Sequence, residues 1–146
     1  MTIVQRDQTQ LIDRAAPLLA GLVWIIPLIV ISIGVLRRPG RSLDPLYRGA
    51  LDAFARGETM YIGHEGFNYL PTFVPLYLPF NALPTPVGEI IWRWLAAICI
   101  AHALWHLMRI QVRPANARGF LLLSLASLLV SLGALQMGQA NIWIAA

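Results

Sequence analysis

The run Ala16 to Leu36, APLLAGLVWIIPLIVISIGVL, is 21 residues long, carries no charge, and is followed at once by Arg37-Arg38. As a helix it is about 31 Å long, enough to cross a hydrocarbon core of about 30 Å. A cleavable leader would have a shorter apolar stretch ending in small residues, so this run reads as an anchor that stays in place. Pro27 lies mid-run and predicts a kink, which a membrane helix tolerates when its neighbours satisfy the freed carbonyl. Residues 1–15 are polar by comparison and read as a short cytoplasmic lead-in.

Composition carries the same reading to the rest of the chain. Of its 146 residues 58% are hydrophobic and 12% are charged. A soluble domain is about half apolar and about a quarter charged. Two more runs can span a bilayer: residues 87–108, and residues 119–135 at the short limit for a spanning helix. After Asn141 the chain turns apolar again, which reads as the start of a fourth span over 141–146. The expected fold class is therefore all-α, a polytopic transmembrane helix bundle. The net charge of +4 comes from arginine alone. These arginines flank apolar runs and do not form one basic stripe, which favours membrane lipids over nucleic acid as partners. Cys99, the only cysteine, excludes an intrachain disulfide and a cysteine-based zinc site.

Residues 37–86 are too polar and too broken to cross. Leu43, Tyr47, Ala50, Leu51 and Phe54 recur at three- and four-residue spacing, with Arg48, Asp52 and Arg56 on the other side. That is an amphipathic helix lying on the membrane surface, with Gly57 as its stop. A Gly-rich turn region at 63–66 follows. Residues 70–84 are apolar but carry Pro71, Pro75 and Pro79, which predicts a short interfacial helix and not a crossing. Orientation follows from the arginines of the short segments, Arg6 and Arg14 before the first span and Arg109, Arg113 and Arg118 after the second. Short loops weigh most, so the N-terminus and the 109–118 loop are placed in the cytoplasm and residues 37–86 outside. Parity then puts Asp44 and the Gly138-Gln139-Ala140-Asn141 segment on one side.

Several polar residues have ordinary structural explanations. Asp44 before Pro45 is what a helix start requires, a side-chain acceptor at the N-cap and a proline at N1. Asp52, one turn from both Arg48 and Arg56, reads as a solvated ion pair. Tyr47, Tyr61 and Tyr69 divide evenly between interfacial aromatics and ligand contacts. Gln139 and Asn141 can cap the fourth helix and tie helices together, or bond a substrate. Glu89 and Arg93, one turn apart with the acid first, can pair and reach the headgroups. His102 and His106 share a helix face at the spacing of paired metal or haem ligands, but packing or interfacial roles outweigh ligation, and no metalloprotease signature accompanies them.

In order along the chain, Asp44, Tyr47 with Ala50, Gly57 with Tyr61, Phe67-Asn68-Tyr69-Leu70-Pro71 and Gly138-Gln139-Ala140-Asn141 resemble glycosyltransferase family 87. These are GT-C-type mannosyltransferases that use polyprenyl-phosphate sugars. The resemblance covers most of the chain after residue 43 and corresponds to the N-terminal part of that family's much longer members. It implies a multi-pass enzyme of the bacterial plasma membrane with its active site facing the extracytoplasmic side. Such an enzyme would transfer a hexose, mannose in this family, from a polyprenyl-phosphate donor to a hydroxyl of a lipid or glycan acceptor. Asp44 would be the general base, worth about 10²–10⁴-fold, in a single inverting displacement. Arg37, Arg38, Arg41 and Arg48 would be candidates for the leaving phosphate, and Tyr47, Tyr61, Tyr69, Gln139 and Asn141 for the sugar and lipid. No metal or other cofactor is expected. The competing expectation is a small non-enzymatic membrane subunit, holding haem or another cofactor through His102 and His106.

Overall fold

The computed structural model describes residues 3–38, 41–61, 69, 71–111 and 116–145, with side chains from Ala15 onward except those of residues 111, 144 and 145. Among the described residues six helices follow one another: α1 (Ile3–Arg37), α2 (Asp44–Ala55), α3 (Phe73–Asn81), α4 (Thr85–Gln111), α5 (Ala117–Met137) and α6 (Asn141–Ala145). Among the described residues three segments are long and apolar enough to cross a membrane, Ala15–Arg37, Thr85–Ile110 and Ala117–Met137. The molecule is an all-α helical membrane bundle, and no strand occurs among the described residues.

The spans pack along narrow stripes. Ala16, Ala20, Trp24, Leu28, Ile31 and Val35 of α1 are buried, at the three- and four-residue spacing of one helix face. Trp24, Leu28, Ile31 and Val35 among them cluster with Ala96, Ala97 and Ile100 of α4 and Leu135 of α5. The opposite face of α1, with Leu18, Leu22, Ile25, Ile29, Ile33 and Leu36, is exposed, as lipid-facing side chains are. Lipid tails are as apolar as leucine, so small residues and interhelical hydrogen bonds must supply contact specificity. Trp94 does this by donating Nε1–H to Ser32 Oγ at 3.1 Å, joining α4 to α1.

Helix α1 begins at Ile3 and not near residue 16. The polar lead-in is therefore helical and continuous with the span, whose apolar segment begins at Ala15. Pro17 and Pro27 both lie within α1.

The surface helices have their own core. Tyr47, Ala50 and Leu51 of α2, Val74, Tyr77 and Phe80 of α3, Trp92 of α4 and Ala140 form one buried cluster. Helix α2 ends at Ala55, and Gly57 follows with φ of +69°, a backbone region open to glycine at little cost. The end of α3 lies directly on the start of α4. A Cβ on Gly88 would come within 2.5 Å of the Phe80 carbonyl oxygen. Gly88 is thus the residue that allows this close approach, and nothing in the sequence pattern marks it. The Gly-rich turn expected at 63–66 lies outside the described residues.

Candidate functional site

The three spans bring one set of ends together: the C-termini of α1 and α5 and the N-terminus of α4, whose residues Gly34, Gln136 and Glu89 line a common groove. The α2–α3 layer covers the same end. Asp44, Tyr47 and the Gly138–Asn141 segment therefore lie together.

The turn after α5 is the anchor. Gly138 adopts φ of +68°, and the amides of Gly138 and Gln139 bond back to the carbonyls of Leu135 at 3.2 Å and Ala134 at 2.9 Å, a glycine-terminated helix end. The freed Gly138 carbonyl accepts from the Tyr47 hydroxyl at 3.2 Å and from Trp92 Nε1 at 3.0 Å. The Ala140 amide donates to the same Tyr47 oxygen at 2.9 Å, and the Leu43 amide donates to the Met137 carbonyl at 3.0 Å. The Gly-Gln-Ala-Asn segment thus acts through its backbone. The side chains of Gln139 and Asn141, half-buried and exposed respectively, make no hydrogen bond among the described residues.

Asp44 is 3% exposed. It does not cap α2, because Leu43 holds the N-cap position and no side-chain cap bond forms. This corrects the capping expectation. Instead one carboxylate oxygen accepts from the Tyr77 hydroxyl and the other from Arg48 Nε at 2.8 Å. Burial, and then the hydrogen bond to Asp44, push the Tyr77 phenol far above its ordinary range, so it stays a proton donor. Burial, and then the neighbouring Tyr69 hydroxyl, do the same to Tyr47. The Arg48 guanidinium goes on to donate to the Asn81 carbonyl at 3.0 Å, to Asn81 Oδ1 at 2.9 Å and to the Leu83 carbonyl at 3.4 Å. Arg48 thereby ties α2 to the end of α3, and its side chain keeps 22% exposure.

The ion pairs expected at Asp52 do not form: Arg48 takes Asp44, and Arg56 takes Glu58 at 2.9 Å on the surface. Asp44 wins Arg48 because its carboxylate is buried and already held by Tyr77, whereas Asp52 is exposed to competing solvent.

A second carboxylate lies close by. Ser42 Oγ accepts from the Asp44 amide at 3.1 Å and donates to Glu89 Oε2 at 2.9 Å. Glu89 is 1% exposed and pairs with Arg93, itself 2% exposed, at 3.1 Å. The pair does not reach out to headgroups as expected. It points inward because Arg93 finds better partners there: it donates to the carbonyls of Glu89 at 2.8 Å, Leu135 at 3.0 Å and Gln136 at 3.1 Å. The last two lie at the C-terminal end of α5, where a cation is favoured; Leu135 also accepts from the Gly138 amide, so Arg93 is its second donor.

Beside this pair lies a groove of about 450 Å³, walled by Val30, Ile31 and Val35 of α1 and rimmed by Arg38 and Arg41. Tyr61 is exposed, with its hydroxyl donating to the Tyr69 carbonyl at 3.2 Å, while Tyr69 is half-buried with its ring 5.8 Å from that of Tyr47. Phe67, Asn68 and Leu70 lie outside the described residues. His102 and His106 face outward, their rings 4.5 Å apart, at the far end of α4 from Asp44. No group of three or more metal-ligating side chains occurs among the described residues.

Sequence reasoning singled out Asp44, Tyr47 and Arg48 but missed Tyr77, Ser42, Asn81, Trp92 and Gly88. Tyr77 carried a usable signal, an aromatic with a polar tip in an otherwise apolar interfacial helix. No protein-family model, curated protein or solved structure matches this chain.

Proposed function

We propose that the chain is the N-terminal part of a GT-C-type membrane glycosyltransferase, acting on the extracytoplasmic side of a bacterial plasma membrane. It would transfer a hexose from a polyprenyl-phosphate donor to a lipid or glycan hydroxyl with inversion. The observation that carries the reading is the buried carboxylate of Asp44 at the surface-helix end of the bundle, gathered with Tyr47 and the Gly138–Asn141 turn. A carboxylate buried beside the site and held in one orientation by its hydrogen-bond partners is placed to take a proton from an incoming hydroxyl.

Each part then has a task. Asp44 accepts the proton of the attacking hydroxyl. Arg48, already at 2.8 Å from Asp44 and partly exposed, is the nearest cation for the departing lipid phosphate. Its guanidinium covers the carboxylate, so transfer requires it to swing from Asp44 toward the phosphate as substrate enters. Tyr77 stays on the other oxygen and fixes the orientation of the acid.

The test is transfer from a polyprenyl-phosphate hexose by the full-length parent in liposomes. Asp44→Asn is expected to lower the rate about 10²–10⁴-fold with the helical fold intact. Wild-type transfer by that variant removes Asp44 from the chemistry. That outcome would favour a second reading, a non-enzymatic membrane subunit, which one observation supports: both oxygens of Asp44 are already engaged, by Tyr77 and Arg48, as in a clamp between α2 and α3.

A further inference from the structure

We infer that the groove between α1, α4 and α5 is a binding site for an anionic phospholipid of the bilayer. Its lining residue Glu89 is joined to Asp44 through Ser42, but none of Asp44, Arg48 and Asn81 lines the groove, and its occupation does not depend on the transferase reading.

Charge supplies the first argument. Glu89 and Arg93 neutralise each other at 3.1 Å. Arg38 and Arg41 on the rim are exposed, and neither side chain has a hydrogen bond or ion pair among the described residues. Their position just beyond the C-terminus of α1 suits the helix dipole, yet no guanidinium donor of either is used among the described residues. Two planar donor forks at one mouth are suited to a phosphodiester, which accepts paired N–H bonds.

Shape supplies the second. The groove of about 450 Å³ continues from these arginines down a wall of Val30, Ile31 and Val35. From Val30 to Val35 that wall is about 8 Å long, running into the hydrocarbon core. A Cβ on Gly34 would meet nothing within 4 Å, so the missing side chain leaves space at the level where a chain joins its headgroup. A soluble anion would use the rim and leave the wall empty. A phospholipid uses both, with its phosphate on Arg38 and Arg41 and one acyl chain along α1.

The test compares delipidated protein in detergent micelles doped with phosphatidylglycerol or with phosphatidylcholine, reading bound lipid by native mass spectrometry. One-to-one retention of phosphatidylglycerol is expected, with a preference of about 30-fold for two surface arginines. The double variant Arg38→Gln, Arg41→Gln is expected to abolish that preference, with an unchanged circular dichroism spectrum and unfolding midpoint in lipid-free micelles. Gly34→Leu, which fills the groove and leaves the rim intact, is expected to weaken both lipids. Equal retention of the two lipids, a preference surviving in the double variant, or displacement of the lipid by soluble glycerol 3-phosphate at equal concentration would each overturn the inference.

Discussion

Arg93→Met is the perturbation that tests the architecture most directly. In the folded chain Arg93 is 2% exposed, sits 3.1 Å from Glu89 and donates to three backbone carbonyls between 2.8 and 3.1 Å. Methionine preserves much of the volume and the apolar stem but removes the charge and every one of those bonds. Two losses follow together. Glu89 is left as a buried carboxylate without its guanidinium, and breaking a buried pair from one side costs about 3–5 kcal/mol. The Gln136 carbonyl is also left without Arg93 at the end of α5, while Leu135 keeps only its Gly138 donor, each lost bond to a charged group adding about 1.5–3 kcal/mol in an isolated setting. The terms overlap, and a chain unfolded within the membrane finds replacement partners, so about 3–5 kcal/mol in total is expected.

The assay is reversible unfolding in mixed bicelles by titration with sodium dodecyl sulfate, followed by circular dichroism. Glu89→Gln is the control, because it leaves Arg93 its carbonyl partners and removes only the ionic attraction; it is expected to cost less than Arg93→Met. Adding Glu89→Gln to Arg93→Met is expected to recover about 1–3 kcal/mol, the coupling typical of contacting residues. If Arg93→Met unfolds within about 1 kcal/mol of wild type, or if the second substitution adds its full cost to the first, the buried pair does not hold these helix ends together and the reasoning fails.

Other outcomes follow from the surface-helix layer. Gly88→Ala puts a Cβ within 2.5 Å of the Phe80 carbonyl oxygen, so α3 must lift from α4 at a cost of about 1–3 kcal/mol; faster proteolysis at 81–85 in detergent would report it, and wild-type cleavage would contradict it. Tyr47 and Tyr77 have phenol pKa values raised by burial, so the unfolded chain gives up those protons first as pH rises. Their contribution to stability is present below about pH 10 and declines above it. The unfolding midpoint is expected to fall steadily above that pH, and Tyr77→Phe to make the fall shallower; an equal slope in that variant would discount Tyr77.

The amino-acid order alone determined that this is a helical membrane protein. Ala16–Leu36, the sparse charge and the two later apolar runs leave no other solution, because every backbone polar group in lipid must be satisfied within its own helix. The three- and four-residue spacing of Leu43 to Phe54 determined α2 in the same way, since its apolar face needs an interface. Tertiary structure decided what the polar residues do. Asp44 reads locally as an N-cap, yet its carboxylate turns to Arg48 and to Tyr77, which is 33 positions away in sequence. Glu89 and Arg93 read as a pair snorkelling outward, yet they turn inward because α5 ends beside them with carbonyls to satisfy. The physical reason is range: hydrophobic periodicity is written within one helix, whereas hydrogen-bond partners are chosen among helices that only packing brings together.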